Sequence, residues 1–364
     1  MRRHLAPLLA AIAVAACAQG PGARPIAMPG LPAGAATADP ALAVDPASGD
    51  LLLSWMAGDS AGQAIWFARA DPSGRWSSPV RVAGPSSAYH PHAESAPRLV
   101  ALAGGVVALV FTNSVAVPGR RWPASNVLLS RSSDGGASWS APLALNDDTA
   151  RTPAGHLFQG AASLGDSGLV VAWLDSREAP GESGEESHAH MEAEPDAQVV
   201  LAQSFDRGAT WAERNTPAWD GACPCCRVAL ARDPSGGVSA AWRAHFPGDV
   251  RDPVAAPLGG DPVRVSDDGW VYPGCPHAGP AIAIGADGTT HVAWYLGREG
   301  KAGIWYARRA PDGAVTARIA LDTLEADHPQ VAVRPDGSVV VAYAVTEGRS
   351  EVRLRSVTLE TSSR

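Results

Sequence analysis

Apolar and polar positions alternate along this chain in short runs, and the runs come in pairs. In each pair a first run meets a Gly- or Asp-bearing turn, and a second run closes on an aromatic residue. Six copies stand out: Leu42–Trp55, Arg98–Phe111, Gly160–Trp173, Val228–Trp242, Ala281–Trp294 and Gln330–Tyr343. Their turns are Ser48-Gly49-Asp50, Gly104-Gly105, Asp166-Ser167-Gly168, Ser235-Gly236-Gly237, Asp287-Gly288 and Asp336-Gly337. Period-two alternation around such turns predicts hairpins, and helical spacing is hard to find anywhere.

A second, less regular pair of runs follows each hairpin, as at Gln198–Gln203 and Gly303–Arg308. Four strands per repeat and six repeats predict an all-β, six-bladed β-propeller, in which radial closure protects sheet edges. The last repeat runs out after three strands, at about Leu359. Residues Arg24–Met28 are expected to supply its fourth strand and close the ring.

Two segments are sharper. Ser132-Ser133-Asp134-Gly135-Gly136-Ala137-Ser138-Trp139 and Ser204-Phe205-Asp206-Arg207-Gly208-Ala209-Thr210-Trp211 both fit the pattern S-x-D-x-G-x-x-W, and Asp71–Trp76 is a degraded copy. With these Asp-boxes the chain resembles the sialidase-like, BNR-repeat propeller family over roughly residues 37–360. The resemblance implies structural roles for Ser132, Asp134, Gly136 and Trp139, and for Ser204, Asp206, Gly208 and Trp211. The Asp accepts backbone N–H groups, the Gly takes an unusual backbone angle and the Trp packs.

Composition adds an address. Met1-Arg2-Arg3-His4 precedes an apolar run, Leu5 to Ala16, that is too short to span a bilayer as a mature helix, and the run ends Val14-Ala15-Ala16-Cys17. That ending resembles a lipobox. It implies a signal peptide over 1–17, lipidation of Cys17, a flexible tether over 18–38 and a propeller over 39–364. The expected location is the cell envelope, on a periplasm-facing membrane surface. The net charge of −8, with no basic cluster, argues against a nucleic-acid partner.

In a propeller the turns between strands one and two, and between three and four, share one face. Segments entering each first strand open on the other face, near the axis. Those entry segments hold ligand-type residues: His92 and Glu94, His156, Cys223-Pro224-Cys225-Cys226-Arg227, Cys275-Pro276-His277, and His328. The candidate metal donors are therefore Cys223, Cys225, Cys226, Cys275, His277, His156, His92 and His328, with copper or zinc as the ion. The vicinal pair Cys225-Cys226 is expected to contribute only one ligand. The insertion 178–196 adds His188, His190 and Met191 over the same mouth. An oxidising compartment leaves a second use open for the thiols, disulfides pinning the fourth blade to the fifth.

Two other readings stand beside metal binding. The family resemblance implies a possible exo-sialidase, which needs an arginine cluster, an acid/base and a Tyr/Glu pair. Arg98, Arg177, Arg227, Arg243, Arg251 and Arg298 are available, as are Tyr272, Asp175, Asp252 and Glu94. No Tyr/Glu pair is recognisable, the early Arg-Ile-Pro signature is missing, and no catalytic residue is assigned. A non-catalytic propeller binding a glycan or a periplasmic protein through Trp122, Trp219 or Trp270 is the third reading.

Overall fold

The computed structural model describes residues 36–119, 123–150, 152–177, 196–323, 326–345 and 351–357. Blade one is β1 (Ala36–Val44), β2 (Leu51–Asp59), β3 (Gly62–Ala70) and β4 (Val80–Ser86). Blade two is β5 (Arg98–Leu102), β6 (Val106–Val115), β7 (Ala124–Ser132) and β8 (Leu143–Ala144). Blade three is β9 (His156–Leu164), β10 (Gly168–Asp175), β11 (Ala197–Ser204) and β12 (Thr216–Ala222). Blade four is β13 (Ala229–Arg232), β14 (Val238–Arg243), β15 (Pro253–Pro257) and β16 (Val263–Arg264). Blade five is β17 (Ala281–Ile284), β18 (Thr290–Leu296), β19 (Gly303–Arg309) and β20 (Val315–Asp322). Blade six has β21 (Ala326–Val333), β22 (Val339–Val345) and β23 (Glu351–Val357).

Each blade is an antiparallel meander in chain order, and the first strands of successive blades contact one another around the axis. The six aromatics that close the repeats, Trp55, Phe111, Trp173, Trp242, Trp294 and Tyr343, all lie on second strands and are all buried. They help fill apolar layers where one sheet packs on the next. Trp173 sits in the layer between blades two and three, Trp242 between three and four, and Trp294 between four and five. Burial of this kind supplies the main drive for closing the ring.

Among the described residues the last blade has three strands, β21, β22 and β23. Val352 and Leu354 on its outer strand are 74% and 67% exposed. The segment 24–28 expected to pair there lies outside the described residues, as do Cys17, Trp122 and the His188, His190 and Met191 of the insertion. β1 opens at Ala36, at the start of the described residues. A register shift between Ala38 and Ala41 lets the strand continue through Asp39-Pro40, where Pro40 lacks a ladder donor.

The two faces are distinct. Gly135 N donates to Gly105 O, and Arg207 N donates to Ser167 O, so the Asp-box turns sit against the hairpin turns. Both boxes are built as the motif implies. Ser132 Oγ accepts from Gly136 N at 2.7 Å, Asp134 accepts from Ser138 N at 2.9 Å, and Trp139 Nε1 donates to Gly136 O at 3.1 Å. Ser204, Gly208, Asp206, Thr210 and Trp211 repeat these bonds at 2.9, 2.9 and 3.3 Å. Gly136 holds φ of 94°, and a Cβ there would strike the Phe67 ring.

Candidate metal centre

On the opposite face the entry segments converge through one buried carboxylate. Glu94 is fully buried. It accepts from Arg227 N at 2.9 Å, Arg227 Nη1 at 2.7 Å and Gly279 N at 2.7 Å, and it pairs with His328 Nδ1 at 2.7 Å. Arg227 Nη2 also donates to Pro329 O. Segments entering blades two, four, five and six are thus tied at one side chain. Burial alone would raise the Glu94 carboxyl, but Arg227 and the other donors hold it at about 2. Gly279 must be glycine, since a Cβ would lie 2.6 Å from Arg227 Cγ and 2.7 Å from Glu94 Oε2.

Beside this hub lies the thiol cluster. Cys223 to Cys226 form a turn in which Cys226 N donates to Cys223 O at 3.4 Å, and Cys223 N is anchored to Arg243 O at 2.8 Å. The turn folds all three sulfurs inward. Cys223 Sγ lies 3.9 Å from Cys225 Sγ and 3.6 Å from Cys226 Sγ, and Cys225 and Cys226 are 4.0 Å apart. The vicinal pair was expected to contribute only one ligand, yet the turn through Pro224 and Cys225 brings both of its sulfurs close to Cys223 Sγ. All three residues are fully buried. A second triad shares one of these sulfurs: Cys225, Cys275 and His277 have ligand atoms all within 4.8 Å of one another. No disulfide joins Cys223, Cys225, Cys226 and Cys275.

Arg243 and Arg251 are fully buried around the cluster. Arg243 is spent on the carbonyls of Ala278, Arg251 and Tyr295. Arg251 Nη1 and Nη2 have no hydrogen-bond partner among the described residues. Hydrogen bonds from Cys225 and Cys226, with the Arg251 and Arg243 charges behind them, hold the Cys223 thiol well below its usual range. Burial pushes the Cys225 and Cys226 thiols up.

The histidines divide. His277 joins the sulfurs, and its backbone takes φ of 47°, a region few side chains adopt. His92 stacks near it, with ring centroids 5.4 Å apart, but His92 Nδ1 accepts the Glu94 backbone N–H at 3.2 Å. In its neutral form the other nitrogen then carries the proton and offers no lone pair. His328 is held by Glu94. His156 stands apart, clamped between Asp148 at 3.0 Å and Asp175 at 3.0 Å. Although burial opposes its charge, those two carboxylates raise its pKa. Both nitrogens of His156 face acids, so it serves a buried ion network and not the thiol cluster.

Three of the arginines a sialidase could use are already paired. Arg227 is locked to Glu94, Arg243 to carbonyls and Arg177 to Asp147 and Asp175. Tyr272 packs on Trp270 at 5.3 Å, and its hydroxyl has no carboxylate partner among the described residues. Trp270, Tyr272, Pro276, Tyr295 and Asp327 line an open cavity of about 330 Å³ beside the Cys275–His277 loop. A larger groove of about 500 Å³ lies between blades four and five on the turn face, away from the thiols. Sequence reasoning raised Arg243 and Arg251 only as carboxylate binders. Their place on the Cys-bearing blade, in Trp242-Arg243 and Arg251-Asp252, was the available signal for a charge-balancing role.

The profile described as a BNR repeat-like domain matches residues 49–249. Among curated protein sequences nothing matches. Of solved structures, the Hadza microbial sialidase Hz136 aligns with a TM-score of 0.55 at 14% identity, over 89% of this chain and 66% of that one. The chain therefore spans slightly less than two thirds of that protein. A Dyadobacter fermentans protein of unknown function gives 0.55 at 15%, over 88% and 94%. An intramolecular trans-sialidase from Ruminococcus gnavus, solved with oseltamivir carboxylate, gives 0.54 at 11%, over 85% and 90%. At such identities the likeness establishes the fold alone.

Proposed function

The chain belongs to the BNR repeat-like domain family, and from that premise we propose that it is a sialidase-like propeller put to binding a thiophilic metal ion at the axis mouth, copper(I) in preference to zinc. One observation carries the reading: three buried sulfurs stand 3.6 to 4.0 Å from one another with no disulfide between them. An ion about 2.3 Å from each of three sulfurs in one plane sets them about 4.0 Å apart, and a tetrahedral ion about 3.8 Å. A disulfide would need about 2.05 Å. The observed spacing supports a metal site.

Charge favours the monovalent ion. Three thiolates around copper(I) leave two negative charges, which Arg243 and Arg251 match. A divalent ion would leave the buried arginines in excess, an unfavourable balance at low dielectric. Soft thiolates select copper(I) on chemical grounds as well. Cys223, Cys225 and Cys226 hold the ion, and its affinity comes with displacement of their protons. Export and lipidation at Cys17 belong to the same proposal, placing the site at the surface of a membrane in the cell envelope.

The test is elemental analysis of the full chain purified without chelator and under anaerobic conditions. Stoichiometric copper, lost in Cys223→Ser and Cys226→Ser variants that keep the β-sheet circular dichroism, supports the reading. Metal-free protein that also fails to take up copper(I) or zinc(II) when reduced overturns it. Binding of a glycan remains a second reading, favoured by the Trp270–Tyr272–Tyr295 cavity at the same mouth.

A further inference from the structure

We infer that the mouth is built for two copper(I) ions bridged by the Cys225 thiolate, one in the Cys223–Cys225–Cys226 triad and one in the Cys225–Cys275–His277 triad. The inference rests on the proposed function and extends it.

Five donors converge, more than a two- or three-coordinate copper(I) can use. They do not form one shell. They fall into two triangles that meet only at Cys225 Sγ, and a thiolate sulfur has lone pairs enough to bind two ions at once. The triangles differ in depth. Cys223, Cys225 and Cys226 are sealed in the layer between blades three and four, whereas Cys275 is half-buried and His277 exposed. The outer position faces solvent and covers the inner one.

His277 is held there by the fold. Its positive φ is a conformation that costs free energy, and its ring is packed against His92 and Phe158 from blades two and three at 5.4 and 6.4 Å. Two neighbouring blades therefore fix the orientation of an imidazole contributed by a third.

The charge arithmetic permits the second ion. Cys275–SH plus copper(I) gives Cys275–S–copper plus a released proton, with no change of oxidation state. The second monovalent ion replaces one proton, so the net charge facing Arg243 and Arg251 stays where the first ion left it. A second divalent ion would add charge to a site already holding two buried cations.

The experiment titrates the reduced, metal-free full chain anaerobically with copper(I) supplied as its acetonitrile complex. Bound copper is counted after desalting, and X-ray absorption at the copper edge reports a copper–copper path. Wild type is expected to retain about two ions per chain and to show that path. Cys275→Ser and His277→Ala, both at the surface of the cluster, are expected to retain about one ion and lose the path. Cys225→Ser is expected to lose both ions. Wild type that retains a single ion, unchanged by Cys275→Ser and His277→Ala, overturns the bridged pair and leaves the proposed function standing. Two ions retained by Cys275→Ser and His277→Ala also overturn it, because the second ion would then lie elsewhere. No retained copper in any form sinks both.

Discussion

The two faces of this propeller solve the same problem in opposite ways. On the turn face, Ser132, Asp134 and Gly136 bond within four residues of one another, and Ser204, Asp206 and Gly208 do the same. Each box closes its own turn. On the axis face, Glu94 reaches Arg227, Gly279 and His328, partners 133, 185 and 234 residues away. The first arrangement staples a blade, and the second joins blades into a ring. Local staples are redundant, since losing one leaves the others. A single buried hub is not, and the thiol cluster is positioned by segments that the hub ties together.

The comparison can be broken most forcefully at Glu94. Glu94→Gln removes the carboxylate and leaves Arg227 buried without its counter-charge, a change expected to cost about 3–5 kcal/mol. Urea unfolding should show it, and a loss below about 1 kcal/mol would mean that the hub does not hold the ring. The acid limb sharpens the point. Glu94 has a folded pKa of about 2 against an ordinary 4.5. The stability it contributes is present above 4.5 and is lost as pH falls from there towards 2. Unfolding free energy measured across that window should fall less steeply in Glu94→Gln than in wild type. The His156 clamp works with the other sign. Its raised pKa contributes stability that is complete below 6.5 and lost as pH rises through the folded value. His156→Gln should flatten the alkaline side of the stability profile without changing bound copper.

The staple face predicts less. Ser132→Ala removes one acceptor from the Gly136 N–H and one donor to Asp134, and about 1 kcal/mol is expected. Thermal unfolding should record a small shift and unchanged copper content. A collapse as large as that of Glu94→Gln would erase the distinction between the faces. The smallest effect belongs to Tyr272→Phe. Stability and copper content are both expected to be unchanged. Sialoside cleavage by the wild type that Tyr272→Phe abolishes would reinstate the glycosidase reading.

Much of the fold was legible because its code is short-ranged. Alternation, Gly/Asp turns and closing aromatics repeat six times, and each repeat states its strands within about fifteen residues. The Asp-boxes are equally local, and their bonds follow from spacing alone. The face carrying the candidate site followed from strand direction, which places every first-strand entry at one end. The membership of the site was less legible. Cys225 and Cys226 were expected to offer one ligand between them, but the turn through Pro224 brings both sulfurs within 4.0 Å of Cys223 Sγ and of each other. His156 carries the same residue type at the same repeat position as His277, yet Asp148 and Asp175 take it out of the cluster.

What the sequence determined by itself was the ring and the ends at which its chemistry had to sit, because hairpin geometry depends on residues a few positions apart. The tertiary structure decided which donors meet. Pairings such as Glu94 with His328, Cys225 with Cys275 and Arg251 with Cys223 depend on blade rotation about a common axis and on the bend of single loops. No periodicity records those quantities, because the residues that set them lie in different repeats.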